Sequence, residues 1–540
     1  MIVERFIGGE SQGRSFFGGR RNRPRSIGMS VVFVVGLVLV IVWQVPGLIA
    51  AGVAGAVVWA ATTGTHFGSP WSRFKARRRW RERMRTGRSV FIPVSRRPAE
   101  LEEQWAASSK RSRKKLQVEW TKYRDWPDGV DGLNWLQAAP GKPGILWHTP
   151  TGQEAYFTVA FPIRGQIQGL EGDGAINAAA GRFGRWLAAW ASSRALVSSV
   201  QMLTRILPVD SARHEQWVLD NVDMNTPDAL LESYDDVVRQ VGRGGMMQRH
   251  FVVVRWTVTP QFLAVAARRG PGEDGWRDLL GREIEAVSRS LSAARFEPGP
   301  ALSAARMAAL LRHLQMPSWP IDQVADADIM WPWLASEDAW SYTRQRDVGP
   351  TGETEEWLHR TLRVPIENVG TGPRTPLWLL PFLTQLPQDV IRTLSIELEP
   401  IPAGLARQQA RADLASDLAD LHSQQSKGAL TNEELEVAMR AAEARRNDLA
   451  PGSGAQGVGF AMHVSLSARS VEDLADACAV VEECLGTDLD IDEVAWLDPD
   501  QSSAAATCWP VARGMRPVGQ SKSAKIRSFL AGKGNKEALT

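Results

Sequence analysis

Apolar and polar positions alternate with different periods along this chain, and the first pattern is the strongest. Residues 27–62 contain no charged side chain. Gln44-Val45-Pro46 breaks the run, and the break predicts two helices, Ile27–Trp43 and Gly47–Thr62. Each is near the lower limit of about 17 residues for crossing a hydrocarbon core. A signal peptide would have a shorter apolar core and a cleavage site. A buried soluble hairpin would rarely go this far without a charge. A single tilted span with Pro46 inside it is an alternative, because membrane helices tolerate proline.

The pattern then turns polar. Residues 63–125 form a basic juxtamembrane region. Its first part, Pro70–Arg88, reads as an amphipathic segment that places Trp71, Phe74 and Trp80 among arginines, as interfacial helices do. Pro98–Trp120 is helical in character. Asp125–Gly144 is rich in Pro, Gly and Asp and marks a boundary.

From Ile145, strand and helix periods alternate. Tyr156–Pro162, Leu196–Ile206 and Gln248–Thr257 read as strands. Ala175–Arg194, Glu215–Met224, Asp228–Val241 and Trp276–Ala294 read as helices. Ser303 is placed to cap a further helix carrying Met307. This arrangement predicts an α/β unit over 145–316. Residues 317–385 form a Trp/Pro-rich connection in which only short elements are expected. Residues 386–515 read as strand Val390–Leu398, a helical hairpin over 403–447, strand Gly457–Ala468, helix Val471–Leu485 and strand Asp488–Trp496. That order is part of a ferredoxin-like sandwich with a helical insertion. The fold class expected is α+β, behind an N-terminal transmembrane helical hairpin. Residues 1–26 read as a cytosolic arm and 516–540 as a disordered basic tail.

Within the helical hairpin, Gly428 breaks the helix and Thr431-Asn-Glu-Glu434 makes a capping box. Leu405, Leu414, Leu418 and Leu421 are taken as one apolar stripe, able to close the two helices on each other or to meet a partner.

Charge changes the picture. Residues 1–124 carry 24 Lys+Arg against 7 Asp+Glu, and the remainder 39 against 53. The net charge of +3 thus hides a basic start and an acidic body. Arginines flank the apolar run on both sides, which places both of its ends in the cytoplasm. The N-terminus and the large C-terminal part then share that side of a multi-pass protein of the cell membrane. Arg77, Arg78 and Arg79 are candidates for contact with anionic lipids, and Trp43 and Trp59 for interfacial anchoring. The basic clusters adjoin the apolar run, so lipid contact is preferred to direct nucleic-acid contact.

Candidate chemistry is sparse. Cys478, Cys484 and Cys508 make no metal or disulfide framework and read as reduced core thiols. No phosphate-binding loop, nucleophile elbow or zinc-protease motif occurs. The eight histidines are scattered, and His250 and His463, both in expected strands, read as structural. Asp488, Asp490 and Asp492 alternate but lack the loop glycine of a calcium site. No cofactor is expected, and no catalytic residue is assigned.

Four runs carry a family resemblance: Leu196-Val-Ser-Ser-Val-Gln-Met-Leu-Thr-Arg205, Ser233-Tyr-Asp-Asp-Val-Val, Arg249-His-Phe-Val-Val-Val, and Val390-Ile-Arg-Thr-Leu-Ser-Ile-Glu-Leu-Glu-Pro-Ile-Pro-Ala403 before an Ala/Arg-rich hairpin. With the membrane hairpin and arginine block, the chain resembles a family of actinobacterial membrane proteins associated with conjugation and type IV secretion. In that family a two-span secretion subunit is joined to a domain like the N-terminal domain of the VirB-type secretion ATPase, without the motor domain. The resemblance implies a non-catalytic scaffold that docks a separate secretion ATPase at the membrane, among other secretion-channel membrane proteins and with room for homo-oligomers. The alternative is an accessory membrane subunit of a type VII secretion apparatus, which also pairs two N-terminal spans with a cytosolic domain. The long charged hairpin over 403–447 favours the first. A membrane-anchored enzyme would need a convergent polar pocket.

Overall fold

The computed structural model describes residues 4–7, 23–63, 69–150, 154–167, 171–192, 194–209, 217–218, 220–223, 226–242, 245–321, 328–426 and 433–514. It is a mixed α+β protein. The expected tail over 516–540, the capping box at Thr431 and most of the expected helix Glu215–Met224 lie outside the described residues.

The chain opens with a short strand β1 (Arg5–Ile7). Helices α1 (Arg23–Trp43), α2 (Val45–Thr62) and α3 (Pro70–Thr86) follow. Next come β2 (Val90–Pro93), α4 (Ala99–Ala107), α5 (Lys110–Lys122), β3 (Tyr123–Arg124), β4 (Leu133–Gln137) and β5 (Ile145–His148). The first half of the body then runs β6 (Tyr156–Ile163), α6 (Asp173–Trp190), β7 (Val197–Pro208), α7 (Asp228–Gly242), β8 (Met246–Thr257), α8 (Pro260–Ala267), α9 (Gly272–Ala293) and α10 (Ala304–Gln315). The second half runs β9 (Ser336–Asp338), β10 (Thr343–Val348), β11 (Thr354–Val364), β12 (Gly372–Arg374), α11 (Leu380–Thr384) and β13 (Ile391–Ile401). It closes with α12 (Ala403–Ser426), α13 (Glu433–Asp448), β14 (Gly457–Ala468), α14 (Val471–Thr487), β15 (Ala495–Trp496) and α15 (Gln501–Ala505).

One thirteen-stranded sheet organises the body. Its order is β3-β2-β9-β10-β11-β14-β13-β7-β8-β6-β5-β4, with β15 on β11. The β2–β3 pair is parallel and the others are antiparallel. The boundary expected between residues 316 and 386 therefore falls inside a continuous sheet, because β7 pairs with β13.

The two halves repeat one plan. In each, a strand, a helix, a strand, a helical excursion, a strand and a helix follow one another, with sheet orders β6–β8–β7 and β11–β14–β13. The innermost strands, β7 and β13, run antiparallel, so an approximate two-fold axis passes between them.

The structure corrects several sequence expectations. The connection over 317–385 contains β10 and the eleven-residue β11, an inner strand of the sheet. Asp488–Trp496 is strand only at Ala495–Trp496. The boundary region contains β4, and the expected arm contains β1, paired with β12. These elements were hidden because they are short or lack a two-residue alternation. By contrast, Gly457–Ala468 is the strand its alternation predicts, and Ser303 caps α10 by accepting from the Arg306 N–H at 3.3 Å.

Two helix layers cover one sheet face. Phe157, Val159, Phe161, Val254 and Trp256 pack against α6, α8 and α9. Leu362, Val464 and Leu466 pack against α14. On the opposite face, α10 and a C-terminal strap over 505–512 cover Leu203, Phe251 and Val253.

Candidate functional site

Among the described residues, Val45–Thr62 is the helix long and apolar enough to cross a membrane, and Ile27–Trp43 is a shorter apolar helix. The two helices pack along each other. Gly47 makes this approach possible, because a Cβ there would stand 2.2 Å from the Leu39 carbonyl oxygen. The outer faces are bare. Phe33 is 72 % exposed and Ile41 73 %, and Leu48 and Ile49 are also exposed. In water this would be an apolar patch well above what soluble surfaces carry. Trp43 lies at the connection between the helices, and Trp59 near the other end of α2, where Arg25 sits over its ring at 5.3 Å. Their separation along α2 is about 22 Å at 1.5 Å per residue.

The basic helix α3 is held on the body by one face. Ser69 caps its start by accepting from the Ser72 N–H, and Pro70 suits its first turn. Gly87 ends it at φ 74°, where any Cβ would meet the Val118 oxygen at 2.3 Å. The anchoring residues recur at spacings of three and four. Arg79 pairs with Asp500 at 2.7 Å. Trp80 packs edge-on against Trp340 at 6.1 Å. Arg83 binds Asp128 at 2.7 Å, Ser502 at 3.1 Å, and Asp338. Burial lowers the Arg83 pKa, but these two carboxylates more than offset it and hold the guanidinium above its ordinary value. The outward face carries Trp71, Phe74, Arg77, Arg78, Arg81 and Arg85, all exposed. Of the three arginines assigned to lipid, Arg77 and Arg78 therefore face out, while Arg79 is engaged with the body.

The helical excursion over 403–447 is present as α12 and α13, but the expected leucine stripe does not close it. Leu405 is 56 % and Leu418 39 % exposed, while Leu414 is half-buried. The side chain of Leu421 lies outside the described residues. Residues nine apart on a helix point about 180° apart, so Leu405 and Leu414 lie on opposite faces. Alanines form the contact face instead: Ala406, Ala410, Ala441 and Ala442 are buried. The base of this hairpin carries β1, whose Arg5 reaches Asp448 on α13 at 3.0 Å.

A second site lies under the C-terminal strap. Alternate residues of β7, β13, β14 and β11 present a polar face there, including Gln201, Arg205, Thr393, Ser395, His463, Ser465, Ser467, His359 and Thr361, all buried. The strap satisfies much of it. Gln201 Nε2 donates to Ser395 Oγ at 2.8 Å and to the Trp509 oxygen at 2.9 Å, and its Oε1 accepts from Ala512 N–H at 3.0 Å. Gln501 Oε1 accepts from Thr361 N–H at 2.7 Å. Glu397 accepts from Gly514 N–H at 2.9 Å. Burial pushes the His359 and His463 pKa values down to about 4 and the Cys508 thiol up to about 12, so all three are neutral near pH 7. The alternation in Thr393-Leu-Ser-Ile-Glu397 predicts a strand but not that its polar side is buried, and only the strap over that side makes the layer. Among the described residues no cluster of three His, Cys, Asp or Glu side chains is arranged to hold a metal.

A Trp-lined cavity of about 160 Å³ lies beside β4. Two of its indole N–H groups, from Trp126 and Trp135, are already donated to the backbone oxygens of Leu133 and Ile329.

A scan against models of known protein families gives no match, and a search of curated proteins finds no relative for this chain.

Proposed function

We propose that this protein is a non-catalytic membrane scaffold of a conjugative or type IV secretion machine. It holds a large body at the cytoplasmic face through a two-span hairpin and docks a separate secretion ATPase there. One observation carries the anchoring half of this reading. β1, ahead of the apolar helices, pairs with β12, far behind them. Both flanks of the apolar run therefore meet on one body, and a run that enters a membrane between them must return to the side it left. The bare apolar faces of α1 and α2 and the exposed arginines of α3 support the same reading.

The docking half rests on the family resemblance and on the ferredoxin-like order expected for β13, β14 and β15. In this reading the α12–α13 hairpin is the docking arm. It stands outside the sheet, between two strands that pair with each other from Ile391 to Ile401. Replacing residues 405–447 with a short Gly/Ser linker keeps that pairing available. The expected result is a folded protein that remains in the membrane, no longer co-purifies with the secretion ATPase and no longer supports DNA transfer. Full recovery of the ATPase with the shortened protein would overturn the docking assignment.

A further inference from the structure

Four tryptophans, Trp126, Trp135, Trp331 and Trp333, line the cavity beside β4. An apolar cavity of about 150 Å³ binds benzene, and this one measures about 160 Å³. A group of about six heavy atoms therefore fits. Buried Trp333 forms part of its deep end. Asp125 and Asn134 are exposed and mark its mouth.

The indoles are fixed by the fold. Trp126 and Trp135 donate their N–H groups to the Leu133 and Ile329 oxygens at 2.6 and 2.8 Å. Trp333 stacks on Trp509 of the C-terminal strap, with ring centroids 5.6 Å apart. Rings held in this way need little ordering when a ligand enters. With their N–H groups committed to the backbone, Trp126 and Trp135 offer the cavity carbon and π-electron surface, not hydrogen-bond donors.

The charge of the lining has one sign. Asp125 is its charged residue, and no Lys, Arg or His joins it among the described residues. Asp125 itself makes no ion pair among the described residues. The adjacent base, Arg124, is engaged elsewhere: its guanidinium lies over the Phe91 ring at 5.6 Å and pairs with Asp128 at 3.6 Å. Aromatic faces are electron-rich. A carboxylate at the mouth and indoles around the walls suit a cation and give an anion no counter-charge.

The lining also selects the kind of cation. A primary ammonium carries three N–H donors. The polar side chains of the cavity, Asp125 and Asn134, both stand at its mouth, so such donors would lack side-chain acceptors deeper in. A quaternary ammonium has no N–H to satisfy, and it spreads its charge over methyl groups that pack on indole faces. The Asp125 carboxylate would repel an anionic group attached to the same ligand. We propose that this cavity binds a small quaternary ammonium cation that has no anionic group of its own.

The test is a calorimetric titration of the full chain, in a maltoside detergent, with choline. Saturable binding is expected, and neohexyl alcohol, the uncharged carbon isostere of choline, should bind about tenfold more weakly or worse. Glycine betaine, which adds a carboxylate, should also bind more weakly than choline. Trp331→Leu keeps an apolar side chain but removes a ring, and should weaken choline about tenfold with less effect on neohexyl alcohol. Asp125→Asn changes an exposed residue, so folding is preserved; it should weaken choline about threefold and narrow the gap to betaine. No saturable binding of choline at about 50 mM would overturn the proposal. Equal affinity for choline and neohexyl alcohol would reduce the site to an apolar cleft and overturn it as well. So would betaine binding as tight as that of choline, or choline affinity unchanged in either folded variant.

Discussion

Arg5 and Arg374 face each other across a two-stranded antiparallel sheet, although the apolar helices α1 and α2 lie between them in sequence. The neighbouring Arg5–Asp448 ion pair is too exposed to contribute much. The backbone pairing is what fixes the relation, because it requires the N-terminal segment and the body to occupy one compartment. Single cysteines introduced at Ser11 and at Ser95 should therefore both resist a membrane-impermeant thiol reagent in intact cells and both react after permeabilisation. Labelling of one and not the other in intact cells would mean an odd number of crossings.

The charge on α3 divides into two functions, and this gives a graded prediction. Arg77 and Arg78 are exposed, whereas Arg79 holds Asp500 at 2.7 Å. Near an anionic bilayer each free arginine contributes about 1 kcal/mol. In a variant lacking residues 27–62, changing Arg77 and Arg78 to Glu should weaken binding to phosphatidylserine vesicles at least tenfold. Added salt should imitate the change. Arg79→Gln alone should have a smaller effect on binding. Vesicle binding that is indifferent to all three changes would remove α3 from the interface.

Arg83 is the clamp that holds this helix in place. Asp338 is almost fully buried, and burial raises its pKa; the Arg83 guanidinium and hydrogen bonds from Ser502 and Thr343 offset that desolvation only in part. Arg83→Met should leave that carboxylate uncompensated and cost about 3–5 kcal/mol of stability. Combining it with Asp338→Asn should recover part of the loss, because the second change removes the orphaned charge. Strict additivity of the two in a thermal unfolding cycle would show that the pair is uncoupled.

What the sequence disclosed followed from periodicity. The alternation in Gly457–Ala468 and the uncharged run over 27–62 were long enough to read directly. Continuity of the sheet was not legible, because pairing of β7 with β13 depends on contacts nearly 200 residues apart and leaves no local signature. β11 was hidden by its composition. Thr354-Glu-Glu-Trp begins like an exposed loop; it pairs with β10, and β14 joins the rest of β11 on the other side, which makes it an inner strand. The leucines at 405 and 414 misled for a geometrical reason, since nine residues are two and a half helical turns. On α3, the arginine density was plain, but which arginines face outward depended on where Asp500, Asp128 and Asp338 lie in the fold.

The buried histidines give the protein a pH dependence with a definite sign. His359 packs between Gln315 and Ser467, with Arg205 nearby, and burial lowers its pKa from 6.5 to about 4. His463 behaves likewise beneath Gly514, with Arg363 as the adjacent charge. Burial also lowers His250 and, further still, His148. In each case the folded state prefers the neutral imidazole. Between pH 6.5 and about 4 the unfolded chain binds protons that the folded chain does not. Stability from these groups is thus fully present above pH 6.5 and is lost as pH falls toward 4. Each histidine contributes about 1.4 kcal/mol per pH unit across its window. Thermal unfolding at pH 7, 6, 5 and 4.5 should show a melting temperature that falls progressively. His359→Gln should lower stability at pH 7 and flatten the slope, because it removes one of the titrating groups. A melting temperature independent of pH over this interval would mean that His359 and His463 are not sealed under the strap.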